Sequence, residues 1–295
     1  MRDGIPQTEA VDAATRGLDL LDTAALVERL IDSQRGAFDA VLKARSAITV
    51  VVDEIARRLE RGGKLHYIGA GTSGRLGTLD AAEMPPTFGT NPEMVQAHIA
   101  GSAAALVRAV EGAEDDAAAG RAVAAHVEAG DAVVGISASG GASYVVAALR
   151  EARARGAFTA AVVNSEASPL AEVAERTIAL QTGAEPLAGS TRMRAGTAQK
   201  IALNTISTAV MIRLGKVYDN LMVDVVATNR KLRTRALRLV MHLTGVDEGR
   251  ALALLDASHG SVKRAVVMER KNVDAAEADA LLARHHGRLR DTLSS

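Results

Sequence analysis

A glycine-rich loop with two hydroxyl side chains is the part of this sequence best suited to bind an anion. It reads Gly69-Ala-Gly-Thr-Ser-Gly-Arg75 and lies between the apolar run 64–68 and a predicted helix. Gly71 lets the backbone approach a ligand closely, and Thr72 and Ser73 add hydroxyl groups. Free N–H groups and the positive end of the helix dipole favour a phosphate here. The alternative is an ordinary strand-to-helix turn with Thr72 or Ser73 as its N-cap.

The spacing of these glycines also fits a dinucleotide-binding fingerprint. Such a site needs an acidic residue at the end of the next strand to hold a ribose. The next predicted strand, Gln96–Ala100, is followed by Gly101-Ser102 and offers no such residue. No Gly-Lys-Ser/Thr follows the glycines, so the loop is not a P-loop either. The hydroxyls therefore favour a phosphomonoester over a pyrophosphate.

A second loop of the same kind begins at Ser137. The segment Ser137-Ala-Ser-Gly-Gly-Ala-Ser143 directly follows another predicted strand, and Ser139 and Gly140 lie at its centre. Ligands of parallel sheets bind beyond the carboxyl ends of the strands. Two such loops predict one shared ligand, and two unrelated turns are the alternative.

A third polar stretch, 189–200, precedes a long predicted helix. Its Ser190, Thr191 and Lys200 are candidates for contact with an anionic or hydroxylated ligand. Cations at a helix start oppose the dipole, so a nearby ligand carboxylate or phosphate would explain them. A plain surface loop is the alternative.

Two glutamates are candidates for acid–base chemistry. Glu83 is predicted to lie in the last turn of the helix after the first loop, just before Pro85-Pro86 ends it. There its carboxylate opposes the helix dipole, which favours a protonated general acid. Glu114 belongs to the acidic cluster Glu111-Gly-Ala-Glu-Asp-Asp116, and like-charge crowding can make one member a better base. The alternatives are an exposed surface glutamate and a helix N-terminus before Ala117.

The elements that position these residues alternate along the chain. Apolar runs that are short enough for strands are separated by Ala-rich helical segments, which is typical of a parallel sheet covered on both faces. The pattern predicts an α/β fold, a three-layer sandwich with a parallel sheet of about five strands. Two helices are expected between Leu20 and Arg58, and helix is expected to continue through 217–239. The predicted strands are 64–68, 95–100, 131–137, 158–164 and 177–181.

The predicted domain organisation has three parts. Residues 1–47 form an N-terminal arm and helices, 48–232 a phosphate-binding domain that contains the hydroxyl loops, and 233–295 a small bundle of three or four helices. Gly245, Gly260 and Asn272 are expected at the breaks between those helices.

Composition excludes several functional classes. The chain has 295 residues, 35 basic and 35 acidic, and 2% aromatics, which is a poor composition for binding nucleic acid. It has no cysteine, so thiolate catalysis and Cys-bound zinc are excluded, and its seven histidines show no metal-ligand spacing. No apolar run is long enough to cross a membrane, and no signal pattern opens the chain. A cytoplasmic protein without membrane or nucleic-acid partners is expected.

Several long motifs in the right order resemble the N-acetylmuramic acid 6-phosphate etherase family. The resemblance covers about residues 20 to 290. It implies a sugar isomerase (SIS) sandwich, a C-terminal module like a ubiquitin-associated bundle, and a homodimer with sites near the subunit interface. The segments that carry it are 69–77 with Asp80-Ala-Ala-Glu-Met-Pro-Pro-Thr-Phe88, 111–116, 189–200 and 211–229, which includes Asn220-Leu-Met-Val-Asp224 and Ala227-Thr-Asn229.

The resemblance implies cleavage of the D-lactyl ether at C3 of a phosphorylated amino sugar by elimination and hydration. It assigns Glu83 as the acid that protonates the leaving oxygen and Glu114 as the base for the C2 proton. The phosphate would bind Thr72, Ser73, Ser137 and Ser139. Two carboxylates suffice for this chemistry, so neither a metal nor another cofactor is implied.

The second loop departs from the family pattern, because Gly141 and Ala142 stand where Arg and Thr are usual. This departure leaves open a non-catalytic sugar-phosphate sensor, which needs the hydroxyl loops but not both glutamates. An aldose–ketose isomerase is a third possibility. It would share the C2 proton step but would have no use for an acid at the leaving group.

Overall fold

The computed structural model describes residues 7–225 and 230–295, and the chain divides into two compact units. Unit 1 comprises Met1–Ala81 and Glu93–Ser207, and unit 2 comprises Ala82–Pro92 and Thr208–Ser295. The motif Ala227-Thr-Asn229 lies outside the described residues. The three-part domain organisation stays a prediction.

A five-stranded parallel sheet forms the centre of unit 1. Its strand order is β2-β1-β3-β4-β5, and β1, β3 and β4 are buried along their whole length. Full burial is expected of parallel strands that are covered on both faces. All five predicted strands are confirmed within two residues at each end. They are β1 (Leu65–Gly69), β2 (Val95–Ile99), β3 (Ala132–Ser137), β4 (Phe158–Val163) and β5 (Arg176–Ala179).

Nine α-helices precede residue 214 in the described part of the chain, and most of them connect or flank the strands. Two of them, α4 and α9, run on into unit 2. They are α1 (Thr23–Ser33), α2 (Arg35–Lys43), α3 (Arg45–Glu60), α4 (Gly71–Phe88), α5 (Ala104–Val107), α6 (Ala117–Ala124), α7 (Ser143–Ala154), α8 (Pro169–Val173) and α9 (Arg194–Arg213).

These helices cover both faces of the sheet. On one face, Ile68 of β1 belongs to a buried cluster with Leu149 of α7. On the other, a Cβ added to Gly77 of α4 would lie 3.0 Å from the side chain of Tyr67. Successive strand residues point to opposite faces, so the alternation of Tyr67 and Ile68 produces the two apolar interfaces. The predicted three-layer α/β sandwich is confirmed.

The N-terminal segment contains three helices where two were expected. Single residues, Gln34 and Ala44, separate α1, α2 and α3. Both keep near-helical dihedral angles, with φ and ψ of −79° and −15° at Gln34 and of −82° and 1° at Ala44. No glycine or proline marks these short breaks, and the apolar periodicity runs across them.

Pro85 and Pro86 do not end α4, and the expectation that they would is wrong. The helix continues to Phe88 and stops at Gly89, which has a left-handed φ of +59°. A proline fixes φ near its helical value and removes its own N–H bond. A helix can therefore include prolines in its last turn at the cost of hydrogen bonds.

Unit 2 is a helical bundle around its own apolar core. Helix does not continue through 217–239 as expected: Tyr218 and Leu221 exchange two backbone hydrogen bonds in a turn after α9. Left-handed φ angles at Gly245, Gly260 and Asn272 confirm the predicted breaks. Residues 230–295 contain five helices rather than three or four. They are α10 (Arg230–Thr244), α11 (Glu248–Ala257), α12 (Val262–Lys271), α13 (Ala275–Arg284) and α14 (Leu289–Ser294).

Candidate active site

Loop 1, residues 69–75, makes a tight passage from β1 into α4. A Cβ at Gly69 would lie 2.7 Å from the backbone nitrogen of Gly74, so the strand and the helix touch through their glycines. Gly71 has a left-handed φ of +53° and open space beside its α-carbon. Thr72 is half-buried in the first helical turn, where N–H groups have no intrahelical acceptor. This geometry suits an anion at the helix start.

Ser73 points into the protein interior. Its hydroxyl donates to Gln199 Oε1 at 2.8 Å, and both side chains are buried. Gln199 Nε2 donates to Asn164 Oδ1 at 3.0 Å, and Asn164 Nδ2 donates to Leu180 O at 3.0 Å and to Thr182 Oγ1 at 3.2 Å. This network joins α4 and α9 to the carboxyl ends of β4 and β5. The hydroxyl proton of Ser73 is thus engaged by Gln199, and its backbone N–H is the group it can offer an anion.

Loop 2, residues 137–143, presents its hydroxyls at the carboxyl end of β3. Ser137 Oγ accepts from Gly140 N at 3.1 Å, and Ser139 Oγ accepts from Gly141 N at 3.2 Å. Each hydroxyl therefore keeps its own proton for an acceptor such as a phosphate oxygen. Gly140 has a φ of +73°, and a Cβ there would lie 2.2 Å from Ser168 Oγ. No other residue fits at this position without a shift of the backbone.

Loops 1 and 2 leave the sheet side by side. β1 and β3 are neighbours, with Gly69 opposite Ile136 in the register. The third polar stretch also reaches loop 1, since a Cβ at Gly196 of α9 would lie 3.3 Å from Thr72 Cγ2. The structure thus brings the three polar stretches of the sequence to one edge of the sheet in unit 1.

The start of α9 is satisfied by the protein itself. The fully buried Glu185 accepts hydrogen bonds from Arg194 N and Ala195 N, both at 2.8 Å. A carboxylate at this position also complements the helix dipole. Ser190 and Thr191 are half-buried in the preceding turn, and Lys200 is exposed on the helix.

Arg194 links the N-terminal segment to the start of α9 through hydrogen bonds. Its guanidinium donates to Ser33 O at 2.7 Å and to Ala184 O at 2.8 Å, and lies 3.5 Å from Asp12 Oδ2. Sequence reasoning missed the roles of Glu185 and Arg194. The available signal was the cluster of cations at a helix start, which suggests a ligand anion as readily as a carboxylate nine residues before Arg194.

The two candidate glutamates are both exposed. Glu83 lies on α4, and Glu114 lies in a short 3-10 helix, Ala113–Asp115. Within the acidic cluster, Asp116 is the N-cap of the helix that begins at Ala117. Its Oδ1 accepts a hydrogen bond from Ala119 N at 2.9 Å and so caps α6. Glu114 does not make this capping bond, and its role as a base stays a prediction.

Comparison with known proteins identifies the family. The chain is 50% identical over 292 residues to the N-acetylmuramic acid 6-phosphate etherase of Parasynechococcus marenigrum, a match that covers 98% of this chain and 92% of the relative. It is 48% identical over 289 residues to the protein of the same name from Deinococcus radiodurans, covering 97% and 95%. The chain belongs to the N-acetylmuramic acid 6-phosphate etherase family.

Fold comparisons agree with this membership of the etherase family. Residues 47–153 match the family model of the glucokinase regulatory protein N-terminal SIS domain. A solved protein from E. coli CFT073 superposes with a TM-score of 0.50 at 16% identity, covering 68% of this chain and 97% of that chain. A Bacteroides fragilis protein also gives 0.50 at 18% identity, covering 66% and 94%. At such identities the likeness establishes the fold, and the SIS sandwich expected from the sequence is confirmed.

Asp80, in the etherase-family motif on α4, lies at the centre of a buried polar cluster. Its Oδ1 accepts from Asn204 Nδ2 at 2.6 Å and from Ser207 Oγ at 3.0 Å. Burial raises the pKa of this carboxyl, and the hydrogen bonds and the charge of Lys200 offset part of that effect. The Tyr67 hydroxyl lies beside it outside hydrogen-bond geometry, and burial together with Asp80 raises the pKa of Tyr67 well above its ordinary value.

Two histidines lie in neighbouring strands, His66 buried and His98 half-buried. His66 Nδ1 and His98 Nε2 lie 3.2 Å apart, and the other ring nitrogen of His66 lies 3.4 Å from Asp131 Oδ2. Among residues 7–225 and 230–295, no group of three His, Cys, Asp or Glu side chains is arranged to hold a metal ion. In the same ranges no helix is long and apolar enough to cross a membrane.

Proposed function

We propose that this chain cleaves the D-lactyl ether of N-acetylmuramic acid 6-phosphate, giving N-acetylglucosamine 6-phosphate and D-lactate. The observation that carries the proposal is the near full-length match at about half identity to etherases. The hydroxyl loops at adjacent strand ends support it, because they suit the phosphate that such a substrate carries. This activity makes the chain a carbon–oxygen lyase of cell-wall sugar recycling.

The reaction starts from the open-chain sugar, in which C2 is α to the C1 aldehyde. Glu114 removes the C2 proton, the electrons form a C2–C3 double bond, and the C3–oxygen bond breaks. Glu83 gives its proton to the departing ether oxygen. That oxygen therefore leaves as the neutral hydroxyl group of lactate. Glu83, now a carboxylate, takes a proton from water, which adds at C3, and protonated Glu114 returns a proton to C2. The exposure of both side chains is consistent with roles on a bound ligand.

The phosphate is proposed to bind between loops 1 and 2. Gly71, Thr72 and Ser73 supply backbone N–H groups at the start of α4, and Thr72 adds its hydroxyl. Ser137, Ser139 and Gly140 supply the facing loop, where both hydroxyl protons are available. The remaining candidates, Ser190, Thr191 and Lys200, are proposed to contact the sugar hydroxyls and the acidic lactyl group. Because Gly141 replaces the usual arginine of loop 2, phosphate binding rests on neutral donors there.

An apolar surface on the N-terminal helices supports the proposal of a homodimer. Val27 and Ile31 of α1 are 50% and 65% exposed, and Phe38 and Leu42 of α2 are 60% and 51% exposed. Each pair is four residues apart, so each forms a stripe on one helical face. Exposed apolar stripes of this kind mark interaction sites. We take the occupant to be a second copy of the chain, as the family resemblance implies.

A site shared between two subunits would give the dimer a catalytic role. The family resemblance implies sites near the subunit interface, and we infer that Glu83 acts on the substrate held by the partner's loops.

The test is release of D-lactate from N-acetylmuramic acid 6-phosphate by the purified protein, with wild type and Glu83→Gln side by side. Wild type should release lactate, and Glu83→Gln should bind sugar phosphate without turnover. Absence of lactate from folded wild-type protein would reject the activity. Solvent oxygen incorporated at C3 would distinguish elimination and hydration from direct displacement at the lactyl carbon.

Mixed dimers test the shared site. Glu83→Gln and a Thr72→Val/Ser139→Ala double variant should each be inactive as homodimers. After mixing and re-equilibration in equal amounts, about a quarter of wild-type activity should return, since half of the dimers carry one intact site of two. No recovery, with heterodimers shown by mass spectrometry, would place Glu83 and the loops of one chain in the same site.

The cytoplasmic location of the protein stays a prediction.

A further inference from the structure

Helix α10 carries an unusual concentration of positive charge at its N-terminal end. Of its 15 residues, Arg230, Lys231, Arg233, Arg235 and Arg238 are basic, and none is acidic. All five lie in the first nine positions, and Arg230, Lys231 and Arg233 lie in the first turn, where the helix dipole disfavours cations. Lys231 and Arg235 are four apart and Arg235 and Arg238 three apart, so like charges repel along the helix surface. This arrangement costs stability unless an anion is close.

The acidic residues of unit 2 do not provide that anion. The ion pairs of residues 208–225 and 230–295 are formed by other cations: Arg250 with Glu269, Arg264 with Asp279, and Lys216 and Lys263 with Asp224. Within the same described ranges, none of the five α10 cations has a carboxylate partner. Arg235 contacts the sulfur of Met222 at 3.9 Å. In the described part of unit 2, residues 82–92, 208–225 and 230–295, no carboxylate forms an ion pair with the charges of α10.

These cations line a groove of the size that small ligands occupy. Arg230, Lys231, Arg235 and Arg238 line a cavity of about 630 Å³, together with His242 and the buried side chain of Leu239. Small-molecule sites typically have a few hundred to a thousand Å³ and a small number of converging polar groups. Lys231 and Arg238 are exposed and Arg235 is half-buried, so their charged ends can reach a ligand.

We infer that this groove binds the phosphate dianion of a small molecule. A phosphate supplies two negative charges and several acceptor oxygens, and arginine binds such groups through paired N–H donors. An anion at the start of α10 would also be favoured by the helix dipole and would relieve the repulsion among the cations. The phosphate belongs either to a second molecule of the sugar-phosphate substrate or to a separate phosphorylated metabolite, and both sources share this chemistry.

The direct test measures binding of inorganic phosphate by calorimetry at constant ionic strength. The full chain should carry Thr72→Val/Ser139→Ala, so that the proposed loop site does not contribute. Adding Arg235→Gln/Arg238→Gln should weaken phosphate binding at least tenfold. A matched pair of exposed arginines outside the groove, Arg121→Gln/Arg284→Gln, should leave it unchanged. Equal phosphate affinity in the Arg235→Gln/Arg238→Gln protein and in the Arg121→Gln/Arg284→Gln protein would overturn the inference.

Two further measurements make the result specific. Arg235→Lys/Arg238→Lys keeps the charge and should retain part of the affinity, which a general loss of helix structure would not allow. The kinetics of lactate release by Arg235→Gln/Arg238→Gln in the otherwise wild-type chain then identify the source. A raised KM with kcat retained assigns the phosphate to the substrate, whereas unchanged kinetics assign it to a separate metabolite. The calorimetry needs no turnover, so its outcome is independent of the proposed activity.

Discussion

The side-chain amide of Asn204 donates to Asp80 Oδ1 at 2.6 Å, deep in unit 1. This bond joins α4, which begins at loop 1, to α9, which begins at the third polar stretch. Ser207 strengthens the junction through the same oxygen at 3.0 Å. The two helix starts that are proposed to meet the substrate are thus held together through a buried carboxyl group.

Asp80→Asn should change the pH dependence of stability. Burial raises the pKa of Asp80 in the folded state, so over the range between its ordinary and its raised value the folded protein binds more protons. Stability of the wild type therefore falls as pH rises through that range, and Asn removes this dependence while keeping an acceptor for Asn204. Urea unfolding from pH 4 to pH 8 should show Asp80→Asn gaining relative to wild type as pH rises. The exposed Asp39→Asn is the control, and parallel curves for wild type and Asp80→Asn would contradict the expectation.

Thr72 and Ser73 are adjacent in sequence but should fail in different ways. Ser73→Ala leaves buried Gln199 Oε1 without its donor, which costs about 1–3 kcal/mol of unfolding free energy. Thr72→Val keeps the shape and removes one hydroxyl from the proposed phosphate site, so it should raise the KM for sugar phosphate and leave the midpoint of unfolding nearly unchanged. Thr205→Ala, on an exposed face of α9, serves as the stability control. Equal unfolding midpoints for the Ser73 and Thr72 variants would refute the structural role of Ser73.

The difference between these neighbours shows where sequence reasoning reached its limit. The five strands and both hydroxyl loops are readable from local patterns, because burial on both faces and glycine turns leave a short-range signature. The buried network connects Ser73 with Gln199, 126 positions away, and through it with Asn164, 91 positions away. No local pattern in the sequence indicates contacts over such separations. The capping of α9 by Glu185 escaped for another reason: the carboxylate comes from the preceding loop, nine residues before Arg194, and no fixed spacing marks a cap of that kind. The extension of α4 past Pro85 was missed because a proline weakens a helix without always ending it.

Acidification should destabilise the protein through its paired strand histidines. Burial, together with the nearby His66 and His126, lowers the pKa of His98 to about 4. Burial also lowers the pKa of His66, although Asp131 opposes the change. The unfolded chain binds these protons near the ordinary value of 6.5, so stability is complete above that pH and falls as pH drops towards 4.

The loss from His98 should amount to about 2–3 kcal/mol between pH 7 and pH 4. His98→Gln should flatten the unfolding free energy over this interval, as measured by urea titration at each pH. His259→Asn removes an exposed histidine whose left-handed φ of +51° asparagine tolerates. That variant should keep the wild-type slope. An unaltered slope in His98→Gln would show that another group causes the acid sensitivity.

The pair of Asp224 and Lys263 in unit 2 should respond unequally to loss of either partner. Lys263 Nζ lies 2.8 Å from Asp224 Oδ2 and is almost fully buried, while Lys216 Nζ lies 3.2 Å from the same oxygen. Lys263→Met leaves Asp224 with Lys216, so it should be tolerated. Asp224→Asn leaves a buried ammonium group without its anion, which typically costs about 3–5 kcal/mol.

That cost should depend on pH with a definite sign. Burial lowers the pKa of Lys263 even when Asp224 is present, and loss of the carboxylate would lower it further. Between the lowered pKa and the ordinary value near 10.5 the unfolded chain binds more protons, so stability rises with pH in that range. The deficit of Asp224→Asn relative to wild type should therefore shrink from pH 7 to pH 10. The double variant Asp224→Asn/Lys263→Met should lose this pH dependence, because no buried ammonium remains. A deficit of Asp224→Asn that stays constant with pH would mean that Lys263 reaches solvent once its partner is gone.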